Sequence, residues 1–340
     1  MMFDRRFRTV LPLAMALLLA ACGGGDETVS DAAPAAQKRF LSIGTAPPGG
    51  AFFVVGGALA EVLNTSGAAG WRVTAEATKG TQENIRRLTS GELDFALANA
   101  AISYFAVRGE GAWEQAHELA SVMTLAPNVA FFVAPADGGM ASIADLRGKR
   151  VVVGPAGAGF EYFLGPILEA HGLAYDDFTP LNGTQSGAVD LLADGAAAAA
   201  FLGGAVPTAS ITQAATSQEV VFLAFDPEAR TGLVERYPFF APAVVPAGTY
   251  PGQDEDFPGL NVGSMHLVTR ADADDELVYQ VTKTLYEARA QVVERHPAGR
   301  AINPANAPRD TGTPFHPGAE RYYREIGIWP QAEAASSEGE

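Results

Sequence analysis

The apolar run Leu41-Ser42-Ile43 enters a Gly/Pro turn, Gly44-Thr45-Ala46-Pro47-Pro48-Gly49-Gly50. Val55, Leu59, Val62 and Leu63 then recur at near-helical spacing. The same order returns at Arg150–Val153, Gly154-Pro155-Ala156-Gly157-Ala158-Gly159 and the helix-like stretch to Glu169. Each unit reads as strand, glycine turn, helix. Between them, Trp71–Ala77 alternates as a strand does, and Thr78–Asn84 opens a helix that carries Ile85 and Leu88 and stops at Gly91. Thr78 or Thr81 is the candidate cap. Leu93–Ala98 is a further strand ending at Asn99.

Val122–Val133 reads as one long strand leaving the first lobe. A helical turn over Ser142–Lys149, a helix near Gly187–Ala193, a strand at Ala196–Leu202, a turn at Gly203–Pro207 and a strand near Val220–Ala224 follow. Tyr237–Gly259 has little periodicity; Leu260–Arg270 reads as one strand returning to the first lobe. Asp272–Glu294 reads as one amphipathic helix with Leu277, Val281, Leu285 and Ala288 on a face. The alternation predicts an α/β clamshell of two lobes, each a mostly parallel sheet flanked by helices, joined by two hinge strands. Lobe I takes residues 39–130 and 260–330, and lobe II residues 131–259.

In open α/β sheets, ligands gather beyond the carboxyl ends of the strands. There the first helical N–H groups lack partners, the helix dipole adds positive potential, and glycine lets a ligand approach the backbone. The junctions nominate Thr45, Gly50, Ala51 and Phe52; Thr78, Lys79 and Gly80; Asn99; Gly157, Ala158, Gly159 and Phe160; and Gly204. Nucleotide binding fits poorly. Gly44 and Gly49 have P-loop spacing, but Gly50 and Ala51 stand where Lys and Ser/Thr are required, and the second turn is out of register with G-x-G-x-x-G.

Arg5, Arg6 and Arg8 precede an apolar run, Val10–Ala21, that is short for a membrane span. Its end, Leu19-Ala20-Ala21-Cys22-Gly23, resembles a bacterial lipoprotein signal. This implies loss of residues 1–21 and a lipid on Cys22 that anchors the chain to a membrane; a plain secretory signal is the alternative. Residues 22–38 read as a flexible tether and 331–340 as a disordered tail. Cys22 is the sole cysteine, so no internal disulfide forms. Of 340 residues, 48% are hydrophobic and 18% charged, the balance of a globular chain. The formal charge of −16 becomes −18 once three Arg and one Asp leave with the signal, which argues against nucleic acid as a partner.

From about Phe40 to Trp329 the chain resembles the solute receptors of TRAP transporters of the TAXI type. The segments that carry this are Ile43-Gly44-Thr45 with Gly49-Gly50, Lys79–Asn84 with Ser90–Asp94, and Asp145–Val151 with Gly154–Gly159. Pro246–Gln253 and His316–Tyr323 complete the set. The resemblance implies a type II periplasmic-binding-protein fold, a small organic acid or amino-acid-like solute and an ion-coupled membrane permease as partner. No cofactor is expected, and no carboxylate cluster sits at a junction to nominate a metal site. Three departures bear on the ligand. Phe52 stands where the family usually has Tyr, Gly157-Ala158-Gly159-Phe160 replaces Gly-Ser-Gly-Thr, and Asn99-Ala100-Ala101 lacks a polar partner. Lost hydroxyls and added phenyl rings point to an acid, carboxylate-bearing, with an apolar or aromatic body. Lys79 would pair with the carboxylate or stand in solvent.

Other readings are a lipid-anchored sensing subunit of a membrane signalling protein and, less well supported, an enzyme. His117, His171, His266, His296 and His316 show no metal-protease spacing, Ser210 and Ser264 sit in no nucleophile elbow, and Glu76 and Glu161 are the nearest candidate bases.

Overall fold

A computed structural model describes residues 39–330 except 49, 68 and 69. The leader, Cys22, the tether and the tail lie outside the described residues. In chain order the strands are β1 (Arg39–Gly44), β2 (Trp71–Glu76), β3 (Phe95–Asn99), β4 (Leu119–Thr124), β5 (Val129–Pro135), β6 (Arg150–Val152) and β7 (Thr179–Leu181). They continue as β8 (Ala199–Gly204), β9 (Val220–Phe222), β10 (Phe240–Val245), β11 (Phe257–Val262) and β12 (Met265–Arg270).

One sheet runs β2-β1-β3-β12-β4. Strand β1 pairs in parallel with β2 and β3, Ile43 standing opposite Ala75 and Phe95, whereas β12 is antiparallel to β3 and β4. The second sheet runs β10-β11-β5-β8-β6-β7, with β9 also on β5. There β6, β7 and β8 are parallel, and β5 and β11 are antiparallel. Both sheets are therefore mixed: a parallel unit of three strands is completed by antiparallel strands of the crossovers and, in the second sheet, by β9 and β10. Strands β3 and β4 are buried along their whole length, as expected of strands covered on both faces.

The two expected hinge strands are each broken. The first leaves its sheet as β4 and enters the next as β5, across Leu125–Asn128; the second is β11 then β12, parted at Gly263-Ser264. Hydropathy could not show the breaks, because the residues on both sides are equally apolar. Asp272–Glu294 likewise divides at Ala288 into helices Asp275–Glu287 and Arg289–Arg295. The segment without periodicity holds β10, whose Pro242 and exposed Val244 blur the alternation.

Two apolar cores form. One packs helices Ala51–Ser66, Asp275–Glu287 and Pro317–Glu325 against the first sheet. The other runs from Ala96, Ala98 and Val268 of the first sheet into Phe131, Phe132 and Phe201 of the second. An aromatic seam continues it: Phe105 on helix Ala100–Ala106 lies 5.6 Å from Tyr162 and 5.8 Å from Phe239, and Tyr104 lies 5.1 Å from Phe239. Among the described residues no helix is long and apolar enough to cross a membrane.

Candidate functional site

Between the two sheets lies a cavity of about 280 Å³. Its walls come from the first turns of six helices. From the first sheet these are Ala51–Ser66, Thr81–Thr89 and Ala100–Ala106; from the second, Glu161–Ala170, Gln185–Ala193 and Ala209–Ser217. All six follow strand-to-helix junctions or the turn after β8.

The caps differ. Asn99 Oδ1 accepts from the amides of Ala101 and Ile102, and Thr184 Oγ1 accepts from Gly187. The helices starting at Ala51, Thr81, Glu161 and Ala209 have no side-chain cap. In the second of these, Asn84 is the first residue whose amide reaches back to Gly80, leaving the N–H groups of Thr81, Gln82 and Glu83 outside the helical ladder. The turns at Ala51, Thr81 and Ala209 suit an anion or another acceptor, whereas at Glu161 the amides of Tyr162 and Phe163 already donate to Gly159 O and Phe160 O.

Of the thirteen residues nominated from the sequence, Gly50, Ala51, Phe52, Lys79, Gly80, Asn99, Ala158, Phe160 and Gly204 line the cavity. Thr45, Thr78, Gly157 and Gly159 do not. Thr45 is fully buried and donates its hydroxyl to Glu76 O at 2.7 Å. Thr78 donates to Thr45 O and accepts from Gly80 N, so it braces the turn, and neither it nor Thr81 caps the helix; the N-cap is Gly80, at φ +118°. Gly157 is exposed on the outer side of its turn. Gly159 faces the opposite lobe: a Cβ there would lie 3.0 Å from Ile102 Cδ1. At Gly80 and Gly204 a Cβ would lie 3.8 Å from the Cβ of Ala158 and of Ala51, ordinary van der Waals distance.

Asn99 does more than line the cavity. Its amide nitrogen donates to Val262 O at 3.2 Å and Gly263 O at 2.9 Å, which ties the site to the second crossover. Its backbone N–H donates to Thr81 Oγ1.

Several lining residues were not nominated. Gln185 Nε2 donates to Gly203 O at 2.8 Å, and its Oε1 accepts from Ser210 Oγ at 2.8 Å. Gln213, Asn128 and Thr81 add polar atoms. Phe160, Phe163 and Phe201 form an aromatic wall, with ring centroids 5.1, 5.4 and 5.7 Å apart, beside Ile102. Thr184–Ser186 follow a strand-to-helix junction of the same kind as the others, so the same rule nominates them once β7 is recognised. That strand is three residues long and exposed, which hid it.

Of the groups singled out for other chemistry, Ser210 lines the cavity and the others lie elsewhere. Glu76 pairs with Arg87 at 2.7 Å, and Glu161 is exposed outside the lining. His266 is fully buried, with Nε2 2.9 Å from Ser103 Oγ; burial, reinforced by the Arg309 charge, lowers its pKa to about 3. His316 caps a helix by accepting from Gly318 N.

Two mixed α/β sheets with a cleft between helix N-termini define a type II periplasmic-binding-protein fold. Solved structures show the same architecture. PhnD1 from Prochlorococcus marinus, in complex with methylphosphonate, is 11% identical over 84% of this chain and 95% of its own, with a TM-score of 0.52. A protein from Bordetella bronchiseptica is 14% identical over 86% and 90%, with a TM-score of 0.51. These likenesses bear on the fold alone. The chain belongs to the NMT1-like family, whose profile matches residues 43–327.

Proposed function

We propose that the protein is an extracytoplasmic solute receptor that captures a small organic acid or amino-acid-like solute by lobe closure and hands it to a TRAP-type permease of the TAXI kind. The observation that carries this reading is the convergence of uncapped helix N-termini from both sheets on one cavity. The permease class rests on the resemblance of the glycine turns and the His316–Tyr323 segment to that family. The anchor rests on the sequence around Cys22, which would hold the receptor at a membrane surface facing the periplasm.

The energetics suit a receptor. A micromolar ligand needs about 8 kcal/mol. Three turns with open amides at about 0.3–1 kcal/mol each supply roughly 1–3, and burial of about 150 Å² of apolar ligand surface adds about 4. Neither source suffices alone, so the ligand touches both the amides and the phenyl wall. Because these groups come from both lobes, binding favours the closed form by the difference in affinity between closed and open states.

Native mass spectrometry of the purified protein identifies a co-purified solute, and small-angle scattering with and without it reads closure. A saturated protein whose scattering profile superimposes on that of the empty one refutes capture by closure.

A further inference from the structure

The cavity offers open helix amides and no anionic acceptor among its described residues. Among its described lining residues, Lys79 carries the only charge, and there is no carboxylate. Four of the eight side chains with an oxygen on the wall already use it as an acceptor. Thr81 Oγ1 accepts from Asn99 N, Asn99 Oδ1 from two amides, Thr184 Oγ1 from Gly187 N, and Gln185 Oε1 from Ser210 and Gly203. The nearest carboxylates look away: Glu83 accepts from Lys79 N at 3.0 Å, and Glu76 is held by Arg87. Opposite the donors stand Phe160, Phe163, Phe201 and Ile102, with no polar atom among their side chains to serve a second charged group.

We infer that this site, read as the receptor site above, selects a single-headed monoanionic acid with an apolar body, and rejects solutes bearing an ammonium group, amino acids included. A carboxylate or comparable anionic head takes the open amides and Lys79. An ammonium beside it would be desolvated among outward-pointing N–H groups with no counter-charge, which is unfavourable. A second carboxylate at the far end would meet the phenyl wall.

The test is titration calorimetry on the purified protein with matched probes: 3-phenylpropionate, L-phenylalanine and phenethylamine, then hexanoate, norleucine and glutarate. The expected result is that each monoacid binds at least about tenfold tighter than its amino-acid counterpart, a difference of about 1.4 kcal/mol, and that glutarate and phenethylamine are weaker still. Phe201→Ala should weaken 3-phenylpropionate more than hexanoate. Amino acids binding as tightly as the matched acids, or phenethylamine or glutarate binding best, overturns the selectivity while leaving the receptor reading standing. No binding by any probe overturns both.

Discussion

Asn99 offers the sharpest test of how the site is built, because one side chain serves two elements. It is 3% exposed and makes four hydrogen bonds. Replacing it with Ala removes an N-cap worth about 1 kcal/mol. It also strands buried carbonyls at Val262 and Gly263, each lost partner costing about 1–3 kcal/mol unless water enters. The expected loss for Asn99→Ala is therefore at least about 3 kcal/mol when both carbonyls stay dry. Asn99→Asp separates the two roles. Its carboxylate still accepts from Ala101 and Ile102, and Asp caps as well as Asn, but it has no donor and sets negative charge against two carbonyls. Urea unfolding followed by circular dichroism, with the midpoint read for wild type, N99A and N99D, measures both. If Asn99 ties the crossover, N99D falls clearly below wild type. If it merely caps the helix, N99D matches wild type while N99A drops. A loss under about 0.5 kcal/mol in N99A would refute the assignment of these bonds altogether.

Two further outcomes are expected. His266 is held neutral, its pKa lowered to about 3 by burial and then by Arg309, so below about pH 6.5 the unfolded chain takes up a proton that the fold refuses. Stability should fall as pH drops from about 6.5 toward 3, by about 2–3 kcal/mol at pH 4.5 from this group; His266→Gln should flatten that acid limb in melts across pH 4–7.5, and an unchanged limb refutes it. Lys79 is exposed, so Lys79→Gln should weaken a monoacid probe by only about two- to fivefold, with the difference shrinking between 20 and 300 mM salt at roughly these settings; unchanged affinity at low salt shows that the ammonium does not meet the ligand.

The junction rule reached the cavity from its first-sheet side because the loops there are announced by Gly, Pro or Thr, or by Asn at residue 99, after a strand. Gly50–Phe52, Lys79–Gly80 and Asn99 were visible for that reason. The second-sheet side was visible only in part. Ala158 and Phe160 sit in a glycine turn and Gly204 in a Gly-Gly pair, but Phe201 reads as an ordinary core residue of β8, and nothing local tells that its ring ends a cavity. Thr45 and Thr78 failed for the opposite reason: a hydroxyl at a strand end often serves the turn itself, and here both are spent on backbone groups. The breaks in the hinge strands depend on which sheet each half joins, a tertiary choice that apolar patterning does not encode.

The two crossovers bond to each other. Val262 N donates to Asn128 O, Met265 N to Ala126 O and Leu125 N to Met265 O, so the passages form a single ribbon rather than independent cords. A ribbon of this kind bends easily about one axis and resists shear and rotation about the others. Gape and grip should then reduce to one coordinate, and a single pair of spin labels across the mouth would follow the whole excursion.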